Sequence, residues 1–488
     1  MYKKRINGKR TKIVATIGPA SRDEAVLRQL IRNGIDVARI NFSHGTHEIH
    51  GETIDRIRRI ADEEDALVAI LCDIQGPKIR LGQIRNEEIP VQVGDTVTLT
   101  LDPADGTDNV VQIPHPEFVS DIKVGTRLLL GDGDVELLVT ATTGRTLTTS
   151  VVRGTVIQQR KGVMAPNARL SLNVITDKDR EDVLFALSKQ TDYIAMSFVR
   201  SADDLREMRW LIRHSGGNAG LIAKIEKHEA LECIEEIIDV ADGVMVARGD
   251  LGLELSPEDV PYHQKRIIQL ANQAGKPVIT ATEMLKSMET SSRPTRAEAS
   301  DVYNAILDGT DAVMLSGETA SGQYPAEAVE MMANIASMAE RHLHLYARNL
   351  SGTAYKPLAG TESISDAVSW ATVNVADTLN CKSIITTTMT GYTTRRVARE
   401  RPRTPIICVT PHETTYRRMA LVWGVHPIHV PMFNSIDEMM GIVVRAAYNH
   451  NLVHRGDSIV IIAGVPFGNS GQTNFLKIHT VGENNELD

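Results

Sequence analysis

A chain of 488 residues has room for about three domains of ordinary size, and 42% hydrophobic residues supply a sizeable core. The formal net charge is −9 with acids and bases mixed along the chain, which argues against a nucleic-acid or membrane-surface partner. No apolar run approaches a membrane span, no signal peptide is expected, and Cys72, Cys233, Cys381 and Cys408 lack metal-ligand spacing, so reduced thiols of a cytoplasmic protein are expected.

Alternating strand and helix patterns begin at once. Strands are expected near 11–17, 37–42 and 66–74, with a helix from Asp23 to Arg32 after the first. The alternation then breaks between about 77 and 172. Short strand-like runs appear there, among them Val97 to Leu101, Arg127 to Leu130 and Val135 to Val139. The last two flank Gly131-Asp-Gly-Asp134, a hairpin signal. Alternation returns with strands near 193–199, 220–226, 243–247, 277–282 and 312–316. Helices are expected from Lys227 to Val240 and from Pro257 to Ala274, where Pro257 suits a first turn and Gly275 a stop.

Eight strands alternating with helices are the count for a closed (β/α)8 barrel, an α/β fold. Residues 1–76 and 173–345 would form it, and 77–172 reads as an inserted all-β barrel placed on its rim as a lid. The polar stretch from Ala347 to Glu362 reads as a connector. Within 346–488, strands near 383–388, 405–410, 425–430 and 458–465 are separated by helices, which predicts a C-terminal open-sheet α/β domain. No internal repeat stands out.

In such a barrel the C-terminal strand ends form the active face. The second strand brings Arg39, Asn41, Ser43 and His44 there, and the third brings Asp73, followed by Gly76-Pro-Lys-Ile-Arg80. The fourth brings Ser197, the fifth Lys224 and Glu226, and the sixth leads to Asp250. The seventh ends at Thr282 and the eighth at Glu318. A surface salt bridge would explain Lys224 with Glu226 alone, but not polar groups from seven strands at one rim. Two carboxylates, Glu226 and Asp250, leave positions on Mg²⁺ open for substrate oxygens, with Mn²⁺ as an alternative ion. Lys224 can stabilise charge on a transferred group or an enolate. Arg39 offers a planar fork for phosphate. Thr282 can order a water, and the turn from Ala247 through Gly249 to Asp250 offers N–H groups to a carboxylate.

Several segments match one family in order. They are Thr16-Ile-Gly-Pro-Ala-Ser21, Arg39-Ile-Asn-Phe-Ser-His-Gly45, Gly76-Pro-Lys-Ile-Arg80, Lys224-Ile-Glu226, Ala247-Arg-Gly-Asp-Leu-Gly252 and Thr280-Ala-Thr-Glu-Met-Leu285, with the run from Arg293 to Thr319. Together they closely resemble pyruvate kinase over most of the chain. The resemblance implies phosphoryl transfer from phosphoenolpyruvate to ADP, giving pyruvate and ATP. It implies that Glu226 and Asp250 hold Mg²⁺, that Lys224 and Arg39 attend the moving phosphoryl group, and that Thr282 orders the proton-carrying water. Substrate contacts would be Arg39, Ser197, Ala247, Gly249, Asp250 and Thr282, and nucleotide contacts Pro19, Asn41, His44, Arg80 and Lys161. A homotetramer is implied by the family alone. A Mg²⁺-dependent lyase or aldolase on a similar barrel would need no nucleotide and no lid, and a non-catalytic sugar-phosphate sensor would not need Lys224 or Thr282.

One departure changes the expected chemistry. Many family members hold K⁺ at positions matching Asn41, Ser43, Asp73 and the carbonyl of residue 74, with an acidic residue where this chain has Lys78 and a threonine where it has Ile74. An ammonium fixed at Lys78 would replace that K⁺, so activity without monovalent cation is expected. The segment Lys161-Gly-Val-Met-Ala-Pro-Asn167 matches the family less well. In the tail, Thr386, Thr387, Thr388, Thr390, Gly391, Tyr392, Thr393 and Thr394 precede or open a helix, a combination that favours phosphate. The matching family loop, with one resembling Gly464 to Gly471 (including Gly468), binds a regulatory sugar phosphate, so a phosphorylated activator is expected here. Tyr392 stands where some relatives carry arginine, leaving fructose 1,6-bisphosphate, a sugar monophosphate and AMP all open.

Overall fold

The structure, a computed structural model, describes residues 9–351, 363–467 and 471–483. Strands β1 (Lys12–Thr16), β2 (Val37–Asn41) and β3 (Ala69–Asp73) open a barrel. The chain then leaves it for β4 (Glu88–Pro90), β5 (Thr96–Thr100), β6 (Val110–Gln112), β7 (Arg127–Leu130), β8 (Val135–Thr142), β9 (Thr146–Arg153), β10 (Val156–Gln158) and β11 (Val163–Met164). It returns for β12 (Tyr193–Met196), β13 (Gly220–Ile225), β14 (Gly243–Ala247), β15 (Val278–Ala281) and β16 (Ala312–Leu315). The barrel closes in the order β1-β16-β15-β14-β13-β12-β3-β2, with every pair parallel.

Parallel barrel strands are buried on both faces and so read as continuous apolar runs. One face of each strand fills the barrel, with Val14, Val37, Leu71, Ile222, Met245 and Ile279 in one cluster. The other face packs under the helices through Ile13, Ile40, Ile70, Leu221 and Val244. Ala420 and Leu421 of the C-terminal domain join the interior cluster and so close the barrel from below.

The bottom of the barrel carries a fourfold pattern. Asp36, Asp192, Asp242 and Asp311 each immediately precede an even-numbered barrel strand. Each accepts a hydrogen bond through Oδ2 from an N–H on the preceding odd strand: Ile13 at 2.8 Å, Ile70 at 2.7 Å, Leu221 at 2.8 Å and Val278 at 3.0 Å. Each donates its own N–H back to the carbonyl of that same residue. The pattern recurs once per two βα units, a spacing too long to read as a sequence repeat.

The inserted segment forms a six-stranded sheet, β11-β7-β8-β9-β5-β6, and a two-stranded sheet, β10-β4, around one core that includes Val97, Phe118, Leu128, Leu137 and Leu147. The hairpin signal at 131–134 joins β7 to β8, with Leu130 opposite Val135. The tail folds as β19 (Val425–His429), β18 (Ile406–Thr410), β17 (Ser383–Thr387) and β20 (Ser458–Ala463) in parallel, with β21 (Phe475–Thr480) antiparallel at the edge.

Three local expectations need correction. The helix expected from Pro257 begins at Val260, because Pro261 takes the first-turn position; Gly275 ends it at φ 67°. The helix expected from Lys227 to Val240 is two, His228–Glu232 and Ile234–Val240. Cys233 breaks it and turns its Sγ toward the Arg200 carbonyl at 3.2 Å. The helix Pro325–Ser351 runs into the expected connector, whose remaining residues, 352–362, lie outside the described residues.

Candidate active site

Lys224 and Glu226 alternate with Ile225 at the end of β13, so their side chains share one strand face. Both are buried. Lys224 Nζ lies 2.8 Å from Glu226 Oε1 and 3.3 Å from Asp73 Oδ1, and donates to Ser197 Oγ at 2.7 Å. Arg39 Nε reaches Asp73 Oδ2 at 2.7 Å, while Nη1 donates to Thr16 Oγ1 at 2.9 Å. Asp73 thus bridges two cations, and five barrel strands meet in one buried charge cluster.

The charges hold one another in place. Burial alone would raise the Asp73 carboxyl, but Lys224 and Arg39 together outweigh it and hold the group below the usual carboxylate range. Burial opposes charge on Lys224, yet Asp73 and Glu226 overcome it and raise its pKa above the ordinary lysine value. Asp250 differs. It sits in the short helix Arg248–Glu254, and burial, followed by repulsion from Glu226, pushes its pKa to about 6. Glu226 and Asp250 therefore face each other with less positive charge than two carboxylates want.

That imbalance fits a divalent cation. Among the described residues no cluster of three or more His, Cys, Asp or Glu is placed to hold a metal. Two carboxylates completed by substrate oxygens and water are the usual Mg²⁺ arrangement, whereas a closed all-protein cage is not.

Thr282 is held in a left-handed conformation at φ 68°, and Glu283 follows at φ 54°. This is costly for a β-branched residue. Its hydroxyl accepts from Gly249 N–H at 2.8 Å and donates to the Ala281 carbonyl at 2.7 Å. Arg248 secures the turn, donating to the Thr282 carbonyl at 2.7 Å and the Ala281 carbonyl at 3.2 Å, and pairing with Asp301 at 2.8 Å. Phe198, itself at φ 57°, donates its N–H to Glu226 Oε2 at 2.8 Å.

A cavity of about 310 Å³ separates this rim from the inserted domain, with His44, Lys78, Arg80, Lys161, Phe198 and Asp250 in its wall. A larger groove of about 1550 Å³ runs along the other side of the helix Arg248–Glu254, but contains none of His44, Arg80 and Lys161. The smaller cavity is therefore the one that brings together the residues expected at the nucleotide phosphates. His44 is held below the usual imidazole pKa by burial and by Lys78, Arg80 and Arg39. Pro19 is exposed after β1, and Asn41 is half-buried at the end of β2; neither lines this cavity.

Around the expected monovalent-cation position, Asn41 Oδ1 accepts from Ser43 N–H at 3.1 Å, and the Ile74 carbonyl accepts from Ser197 Oγ at 2.8 Å. Lys78 is exposed and makes no ion pair among the described residues, and its charge lowers the proton affinity of both His44 and Asp250.

In the tail, the threonines divide into two groups. Thr386 and Thr394 are buried and share a hydrogen bond of 2.7 Å. Thr387, Thr388, Thr390, Tyr392, Thr393 and Gly471 line a cavity of only about 30 Å³. Thr388 Oγ1 accepts from Gly391 N–H at 2.9 Å, and Thr393 bonds Thr473 at 2.8 Å. Gly391 takes φ 82° where a Cβ would meet the Met419 methyl at 2.5 Å. Gly468 lies outside the described residues.

Sequence reasoning gave no role to Thr16, Arg248 or the Phe198 N–H. The first two lay inside matched segments, but nothing in a sequence says which way such a side chain points. A backbone donor carries no sequence signal at all.

Comparison with known proteins places the whole architecture. Residues 8–329 match the family model described as pyruvate kinase, barrel domain, and residues 366–479 match pyruvate kinase, alpha/beta domain. The chain is 46% identical over 478 residues to a pyruvate kinase of Geobacillus stearothermophilus, covering 97% of this chain and 81% of that protein. It is 46% identical over 477 residues to pyruvate kinase 2 of a Synechocystis strain, covering 97% and 79%. A Staphylococcus aureus pyruvate kinase is 44% identical over 477 residues, covering 97% and 81%. With its closed barrel, inserted β domain and C-terminal α/β domain, the chain belongs to the pyruvate kinase family of phosphotransferases.

Proposed function

We propose that Glu226 and Asp250 hold Mg²⁺ while Lys224 and Arg39 receive the phosphoryl group of phosphoenolpyruvate on its way to ADP. The observation that carries this reading is the buried cluster of Arg39, Asp73, Lys224 and Glu226, with the under-neutralised Asp250 beside it. Bound there, Mg²⁺ supplies Lewis-acid stabilisation of charge on the substrate oxygens. Phosphoryl transfer asks a protein mainly to position and neutralise charge, and this cluster is built for that task. Asp73 holds Lys224 and Arg39 in place through its two oxygens, so no reorganisation is needed when charge develops. N–H groups between Ala247 and Asp250, with Thr282, receive the substrate carboxylate; Gly249 N–H is already ordered by the Thr282 hydroxyl. Thr282 then stands ready to order the water that protonates the enolate. His44, Arg80 and Lys161 attend the nucleotide phosphates, and residues 77–172 close over the site to exclude water.

The reading extends to monovalent cations and regulation. Asp73 has both oxygens engaged by Arg39 and Lys224, and Lys78 presents a cation toward Asp250, which supports activity without K⁺. A phosphorylated metabolite binds the loop from Thr387 to Thr393, where the cavity must widen to admit it. The buried thiols Cys72, Cys381 and Cys408 suit a cytoplasmic setting, and the family suggests a homotetramer. A coupled assay of pyruvate formation tests the core of the proposal. Strict dependence on ADP and Mg²⁺, and loss of turnover in Lys224→Met, are expected. Full turnover in that variant, or product without ADP, would overturn it.

A further inference from the structure

The inserted domain hangs on two connections, one leaving β3 and one arriving at the helix Asp177–Ser188. A single side chain holds both. Asp179 is fully buried. Its Oδ1 accepts from Gly76 N–H at 3.0 Å on the outgoing connection. Its Oδ2 accepts from Thr176 N–H at 2.9 Å and from Thr176 Oγ1 at 2.7 Å on the returning one. A capping box uses only one carboxylate oxygen to complete a helix start. Here the second oxygen is spent across the gap between the two connections.

Gly76 has no freedom to drift. It takes φ 67°, and a Cβ there would lie 2.8 Å from the Phe198 ring and 3.3 Å from Ser197 Cβ. It leans on the segment that donates to Glu226 from Phe198 N–H and accepts from Lys224 at Ser197 Oγ. The helix is anchored on its other side as well. Lys178 Nζ donates to the Phe42 carbonyl at 2.9 Å, and buried Asp182 bonds His47 Nε2 at 2.6 Å. These contacts fix the helix start to the barrel whatever the inserted domain does.

We propose that Asp179 is a positioning residue, the pivot about which residues 77–172 swing. It pins Gly76 and Thr176 together, with Gly76 set against the Ser197–Phe198 segment that bonds Lys224 and Glu226. The proposal rests on reading 77–172 as a closing lid. A buried acceptor facing three donors is poorly replaced by an amide, whose NH₂ would confront one of the N–H groups.

Asp179→Asn tests this beside Thr176→Val. The valine variant loses the capping hydroxyl but leaves the bond from Asp179 to Gly76, so it controls for loss of helix stability. In Asp179→Asn, kcat with ADP is expected to fall at least tenfold, while the Kd for phosphoenolpyruvate with Mg²⁺ alone stays within twofold. Thr176→Val is expected to lower Tm to a similar extent and keep kcat within twofold. An Asp179→Asn enzyme with kcat within twofold of the parent would overturn the pivot, as would equal losses in both variants. If Asp179→Asn does not fold, amide exchange in the unaltered protein decides. Gly76 and Thr176 should stay equally protected with and without phosphoenolpyruvate, Mg²⁺ and ADP, while amides just inside 78–172 change. Ligand-dependent exchange at Gly76 or Thr176 sinks the pivot alone, and no change anywhere in 78–172 sinks the lid reading with it.

Discussion

Arg248 donates from Nη2 to the carbonyl of Thr282 at 2.7 Å, and that threonine holds φ 68°. A left-handed β-branched residue costs about 1–3 kcal/mol and persists only where its surroundings insist on it. The Arg248 fork supplies the insistence, because Nε takes the Ala281 carbonyl while Nη1 is drawn to Asp301. A lysine can make one of these contacts but not all three. Arg248→Lys is therefore expected to relax the Thr282 turn and lower kcat by about tenfold or more, since small displacements at a reacting centre are costly. Steady-state kinetics check this, and a variant with unchanged kcat would show that Thr282 holds its geometry unaided.

The resemblance to the family expects an acidic residue where this chain has Lys78, so a charge reversal there should change the cation requirement. Lys78→Glu removes the ammonium that acts on His44 and Asp250 and puts a carboxylate in its place. The parent is expected to turn over with Mg²⁺ in buffer free of sodium and potassium. The variant should be weakly active there and recover when K⁺ is added. A parent that needs K⁺, or a variant indifferent to it, would count against the substitution of one charge for the other.

The barrel was legible because parallel strands buried on both faces leave long apolar runs that no turn residue interrupts. Edge strand β21 was missed for the opposite reason: Phe475 to Thr480 is mostly half-buried or exposed, with only His479 buried, and its apolar Phe475 and Leu476 pack against different clusters, so no continuous apolar run marks it. At the rim, Lys224 and Glu226 were readable as a pair because strand periodicity puts residues two apart on one face. The inward turn of Thr386 and Thr394 was not, because a hydroxyl-rich segment looks the same whether its side chains face a ligand or one another. The aspartates beneath the barrel escaped notice because their partners lie one βα unit away. Only the pairing of neighbouring barrel strands brings Asp311 to Val278, or Asp192 to Ile70 from the far side of the inserted domain.

Asp192 gives a pH signature. Burial raises its pKa above the ordinary aspartate value, with Arg58 only partly offsetting the shift. A raised carboxyl binds its proton more tightly in the folded chain, so its ionised form costs stability at neutral pH. That cost disappears as pH falls through the raised folded value toward the unfolded value near ~3.9. Asp192→Asn carries no such cost. The stability of the variant relative to the parent should be most favourable near neutrality and decline as pH falls through that window. Paired urea titrations across pH measure the difference, and a difference that is flat or rises toward acid would contradict the burial argument.

Asp311 and Asp242 make the same backbone bonds but differ in what stands behind them. Asp311 is buried, and its Oδ1 meets Arg401 at 2.9 Å and Trp423 N–H at 3.3 Å, both from the C-terminal domain. Arg401 also stacks over the Trp423 ring at 4.9 Å. Asp242 is paired with Arg209 at 3.0 Å on a side where its carboxylate is 39% exposed. Removing a buried partner strands the other charge at a cost of about 3–5 kcal/mol, whereas an exposed pair is worth about 1 kcal/mol or less. Asp311→Ala is therefore expected to lower the urea midpoint far more than Asp242→Ala, and to loosen the C-terminal domain from the barrel. Amide exchange at Trp423 should rise in the first variant and not in the second. Equal losses from both would mean that the shared backbone bonds, and not the contact with Arg401, set the value of these aspartates.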